Sequence, residues 1–220
     1  MRLHSFPTRR SSDLISCVAL IGTTFNAAAS PLMNIQFGND AGFGTTTWNT
    51  GAFDPVTDAA CGGNVVVVHA TSVTGRYMQI TLSGGADGFL DIGRLVVGPL
   101  WRTAHPWSYG AGEGRLMLDR RDRNSFTGAE FPVPAVINPR VMNFTLASIT
   151  AAEAIGEFRT MQDTLGAAGD ALWIPDDGLS QAELNRRSIW GAVAQPGESA
   201  VLTRANVRLR TRGFSMTERV

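Results

Sequence analysis

The sequence predicts a mainly β protein, an amino-terminal β-sandwich followed by a small α+β domain with one principal helix. Three observations predict it. Between Ile15 and Val97, short apolar runs alternate with clusters of Gly, Asn, Asp, Ser and Thr at the spacing of antiparallel sandwich strands. Within that span Tyr77, Gln79 and Thr81 alternate with Met78, Ile80 and Leu82, the two-residue period of a strand with one face in a core. After Thr150 the apolar period lengthens to that of a helix.

The elements follow in order. Sandwich strands are expected over 15–21, 32–37, 65–69, 77–82 and 89–97, with 83–88 a loop by its glycine content. Residues 100–139 are rich in Gly, Pro, Trp and Arg without a sustained period, and read as a linker carrying short strands such as 115–119. Thr150-Ala151-Ala152-Glu153 is a capping box, in which the Thr hydroxyl accepts from a first-turn N–H and the Glu reaches back to the cap. Ile155, Phe158, Met161 and Leu165 recur at helical spacing after it, and Gly166 suits the left-handed end. This helix is expected to pack on a sheet formed from 140–146, 170–174, 188–193 and 207–214, the last placing Arg208, Arg210 and Arg212 on one face. The domains expected are thus 15–99, a linker over 100–139, and 140–220.

At 220 residues and 44% hydrophobic content the chain can bury a core. Formal charge is zero, and all 19 basic residues are arginine, which points to a GC-rich gene. Arginines scattered among as many acids do not form the basic face that nucleic-acid binding needs, so no nucleic-acid partner is expected. Cys17 and Cys61 show no metal spacing and read as buried thiols. Apolar runs fall short of the roughly 18 residues of a membrane helix, so no membrane partner is expected.

The start of the chain reads in two ways. Arg2, Arg9 and Arg10, the apolar run 15–21 and the stretch 26–30 have the order of a secretory signal. His4 to Leu14, however, is similar residue for residue to the conceptual translation of a common sequencing adapter, and the apolar run is short and interrupted by Ser16. Residues 1–14 are therefore read as adapter-derived, with earlier sandwich strands missing and no signal peptide expected.

Chemistry is sparse in the sequence. Neither His69 nor His105 sits at metal-ligand spacing from another His, Cys or carboxylate, and both read as structural. Gly110 to Gly114 has the glycines of a phosphate loop without its Lys and Ser/Thr, and reads as flexible connection. Asp176-Asp177 lies in a Pro/Gly loop with no acid to set opposite it, as a glycosidase pair requires. Asp119 to Arg123 reads as a solvated mixed-charge turn. No catalytic residue, metal ligand or cofactor site is expected. The residues singled out for contact are aromatic: Trp48 in a loop-like region, and Trp101, Trp107 and Tyr109 after the last sandwich strand, which can stack on sugar rings or meet a partner; exposed platforms and buried inter-domain plugs look alike in sequence, and the cluster's place at the domain junction favours the plug.

Arg76 to Ile80, followed by Gly88 to Pro99, resembles the closing strands of a discoidin-like, galactose-binding-like domain. The further order is similar to a family of uncharacterised phage and prophage tail-associated proteins. It comprises the strand Val18 to Gly22, the Arg-Tyr strand, the segment Gly93 to Trp101, Tyr109-Gly110, the capped helix with Glu153 and Ala154, the turn Trp173 to Asp176 and the strand with Trp190-Gly191. The departures are the absent amino-terminal strands and the stretch 119–126. The resemblance implies a non-enzymatic structural role in a tail or baseplate. It implies assembly with other tail proteins in the bacterial cytoplasm and a place in the virion tail. A carbohydrate-binding module that touches surface glycans is the alternative.

Overall fold

The computed structural model describes residues 2–4, 14–25, 31–55, 63–83, 91–103, 112–116, 120–123, 125–133, 138–150, 152–153, 156–165, 169–194, 200–204 and 207–219. Strand makes up 56% and helix 12%, with multiple antiparallel sheets, so the chain is mainly β. It divides into two compact units, Met1–Leu100 with Trp173–Ser188, and Trp101–Leu172 with Ile189–Val220.

The first unit holds two facing sheets. One has the order β1-β6-β3-β4, built from β1 (Arg2–His4), β3 (Leu32–Gly38), β4 (Thr46–Asn49) and β6 (Tyr77–Ser83). The other has the order β5-β2-β7, with β5 (Val65–Thr74), β2 (Leu14–Thr23) and β7 (Ile92–Gly98). Alternation explains the packing between them. Met33, Ile35 and Phe37 of β3 and Met78 and Ile80 of β6 join Ile15, Val18 and Leu20 of β2 and Val65 and Val67 of β5 in one core. The central strand β2 is buried on both faces for most of its length, as a near-continuous apolar run requires. Its end is closed by Gly63, whose carbonyl accepts from the Thr23 amide at 2.8 Å and whose φ is +73°. A Cβ there would lie 2.1 Å from the Thr23 oxygen, so only glycine fits.

The segment Trp173–Ser188 belongs to this first unit, where the sequence reading has it in the carboxy-terminal domain. It carries a short helix, here α2 (Gln181–Arg187), capped by Ser180, whose hydroxyl accepts from the Glu183 amide. The helix lies against β5. Asn185, fully buried, accepts at Oδ1 from the Val66 amide (2.8 Å) and from Gln181 Nε2 (2.8 Å), and its Nδ2 donates to the Pro55 carbonyl (3.2 Å). Gln181 Nε2 also donates to the Val66 carbonyl at 2.7 Å. Two side-chain amides thus do for one residue of edge strand β5 what a neighbouring strand would do.

The second unit is built on β12-β13-β15-β11-β8, with a further strand on β15. Its strands are β8 (Gly112–Arg115), β11 (Arg140–Ile149), β12 (Asp170–Trp173), β13 (Ile189–Ala194), β14 (Ala200–Arg204) and β15 (Val207–Glu218). Met142, Phe144, Leu146 and Ile149 of β11 share a buried face with Phe214 and Met216, and the Phe144 and Phe214 rings stack at 4.9 Å. At the end of the β11–β15 ladder Arg140 gives Glu218 three hydrogen bonds: Nε (2.9 Å) and Nη2 (2.6 Å) to one carboxylate oxygen and the backbone amide (3.0 Å) to the other. The capping box forms: the Glu153 amide donates to Thr150 Oγ1 (3.2 Å) and the Thr150 amide to Glu153 Oε2 (2.9 Å). The helix it precedes, α1 (Glu157–Leu165), keeps Met161 and Leu165 half-buried.

Three expectations are corrected. The segment containing Gly112 and Gly114, read as flexible connection, is strand β8, whose four residues pair with Arg140–Asn143. The region read as linker belongs to the second unit, because β8 extends its main sheet. Trp48, read as loop-borne, stands on β4. The expected loop 83–88 and Cys61 lie outside the described residues but for Ser83, which ends β6. Cys17 is buried and unbridged.

Removing the Asn185 amide leaves the Val66 N–H and the Pro55 carbonyl without these partners. Asn185→Ala is expected to destabilise the protein by about 3 kcal/mol, read from the denaturant midpoint, and to speed hydrogen exchange at Val66 ahead of Leu20.

Candidate functional site

Two kinds of surface could do work in this chain, and they differ in solvent access. The first is the aromatic set chosen from sequence. Phe37 and Trp48 are opposite each other in the β3–β4 register, which sets their rings face to face at 5.4 Å and 7°. The His69 ring of β5 lies tilted against the indole at 4.9 Å. Trp48 is only 6% exposed, so it is a core plug between the sheets and has no face to offer a sugar or a partner. The β3–β4 turn holds it there. Asp40 takes amide hydrogen bonds from Gly44 and Thr45, both at 3.0 Å, and Phe43 accepts a φ of +54°. These backbone donors hold the Asp40 carboxyl below its ordinary value of 3.8.

Trp101 is half-buried, while Trp107 and Tyr109 lie outside the described residues. His69 has Nδ1 beside the Thr71 carbonyl at 2.5 Å, a local contact, and His105 lies outside the described residues. Asp176 and Asp177 are exposed, and the Asp176 carboxylate accepts from the Gly178 amide at 2.9 Å, which makes a turn leading into α2. Among the described residues, no group of three His, Cys, Asp or Glu gathers to hold a metal, and no helix is long and apolar enough to cross a membrane.

The second surface is one the sequence reading passed over. Among the described residues, strands β9 (Arg120–Arg123) and β10 (Glu130–Val133) pair only with each other, as a hairpin that forms its own two-stranded sheet. Asp122 is opposite Phe131 and Arg123 opposite Glu130, an opposite-charge pair that supports the register. Gly128, at φ +71°, turns the chain back. Every described side chain from Asp122 to Phe131 is exposed, with Phe131 at 56% and Phe126, in the turn, at 99%.

No family model, curated protein or solved structure matches the chain. The geometry therefore stands alone. An isolated hairpin is marginal in water, and one that holds two phenylalanines in solvent has the composition of a contact element. The signal in the sequence was the apolar Phe126 and Phe131 bracketing Gly128 beside a mixed-charge run, which reads equally as a solvated turn.

Because folding depresses the Asp40 pKa, its contribution is present above 3.8 and is lost as pH falls through the lower folded value. The Gly44 and Thr45 amide resonances are expected to move together on acidification below that range, and to sit at their displaced positions at every pH in Asp40→Ala.

Proposed function

We propose that this chain is a non-enzymatic structural component of a phage or prophage tail or baseplate, acting in the virion by assembling with other tail proteins. The observation that carries the assembly reading is the β9–β10 hairpin with Phe126 at 99% and Phe131 at 56% exposure. Exposed aromatic and arginine side chains are what protein interfaces use as anchors. The tail setting rests on the collinear motifs that resemble the phage tail-associated family. The glycan-binding alternative loses its leading residue with Trp48 in the core.

The double variant Phe126→Ser/Phe131→Ser tests the reading. Both side chains face solvent, so circular dichroism and thermal midpoint are expected to stay within about 0.5 kcal/mol of the parent. Co-sedimentation with the tail proteins encoded beside it is expected to weaken by tenfold or more, about 1.4 kcal/mol. A parent chain that remains a strict monomer among those proteins overturns the proposal.

A further inference from the structure

Among the described residues β5 ends its sheet, and it opens with Val65, Val66, Val67 and Val68, the longest run of β-branched residues in the sequence. Residues 64–70 contain no acid, lysine, arginine, proline or glycine, the composition from which strands of separate copies pair most readily. A strand residue sends its amide and its carbonyl to the same edge. For Val66 both go to α2: the amide donates to Asn185 Oδ1 at 2.8 Å and the carbonyl accepts from Gln181 Nε2 at 2.7 Å. Those are the groups a further strand would bind, and α2 occupies them with side chains that cannot extend a ladder.

We propose that α2 is an autoinhibitory cap that keeps β5 from pairing edge to edge with β5 of a second copy of this chain. The blocked pairing is antiparallel and isologous, each Val66 giving its amide and carbonyl to the other copy's strand. A second copy suits the edge because the run is its own complement: it brings no like charges together and sets β-branched side chains against β-branched side chains. Asn185 is the latch, since its carboxamide is tied at once to Val66, Gln181 and Pro55. This goes beyond the tail reading and uses a different surface from the β9–β10 hairpin.

The test uses the full chain carrying Asn185→Ala and Gln181→Ala. Phe144→Leu, which loosens the buried face of β11 and leaves α2 intact, is the control for destabilisation alone. In sedimentation velocity at rising concentration the double variant is expected to pass from monomer to dimer where the parent and Phe144→Leu do not change. Its Val66 amide is expected to exchange about tenfold faster than the parent's when dilute, and to become slow again in the dimer. Ser180→Ala, which frays α2 at its cap and keeps both carboxamides, is expected to shift both readouts the same way by less, and it carries the test if the double variant does not fold. A folded variant that stays monomeric, a dimer in which Val66 still exchanges fast, or equal dimerisation by Phe144→Leu overturns the cap.

Discussion

A strand at the edge of a sheet presents a row of amide and carbonyl groups that must find partners, and on β5 Asn185 and Gln181 meet that demand at Val66. The chain goes out of its way to bring them there. It leaves the second unit after Leu172, builds a seven-residue helix on the first unit, and returns at Ile189 to resume the second unit's sheet. A helix this short has little intrinsic stability. Its position follows from Leu184 and Asn185, both buried, and from a carboxamide whose donor and acceptor are each used. An apolar residue at 185 could fill the space but would leave the Val66 amide buried without this acceptor. The amide is therefore retained where packing alone would favour a hydrocarbon.

Much of the first unit was legible because its strands obey period two and its central strand obeys none. The alternation of Met78, Ile80 and Leu82 located β6 within a residue, and the apolar run from Ile15 marked the strand buried on both faces. What was missed has physical causes. The four residues of β4 are too few to show a period, and Thr45 to Thr47 before Trp48 looked like turn chemistry although β-branched residues suit a strand. The segment with Gly112 and Gly114 is a strand despite its glycines, because β11 supplies the ladder. Helix α2 did announce itself: Ser180-Gln181-Ala182-Glu183 has the capping-box spacing, but seven residues give no amphipathic stripe to accompany it.

The contact surface was less legible than the fold. A tryptophan reads the same whether it plugs a core or stands in water, and only the pairing of Phe37 with Trp48 decides for the plug. A phenylalanine in a charged, glycine-bearing stretch invites the opposite error, since it is easily passed over as incidental. Exposure is a property of what packs on a residue, and for Phe126 that depends on the hairpin standing as a sheet of its own.

The edges of the two sandwich sheets are managed by unlike means, and the difference is chemical. At β5 the cap consists of side chains that must hold one geometry, two carboxamides meeting both polar groups of one residue, so any substitute must reproduce three or four hydrogen bonds at once. At β4 the edge is limited by length, since a strand of four residues offers little ladder to a stranger. At β6 the described residues of β1 cover the edge by backbone pairing, each hydrogen bond worth about 1 kcal/mol net, with no requirement for particular side chains in the bonding itself. The amide cap at β5 resists exchange because its contacts are specific.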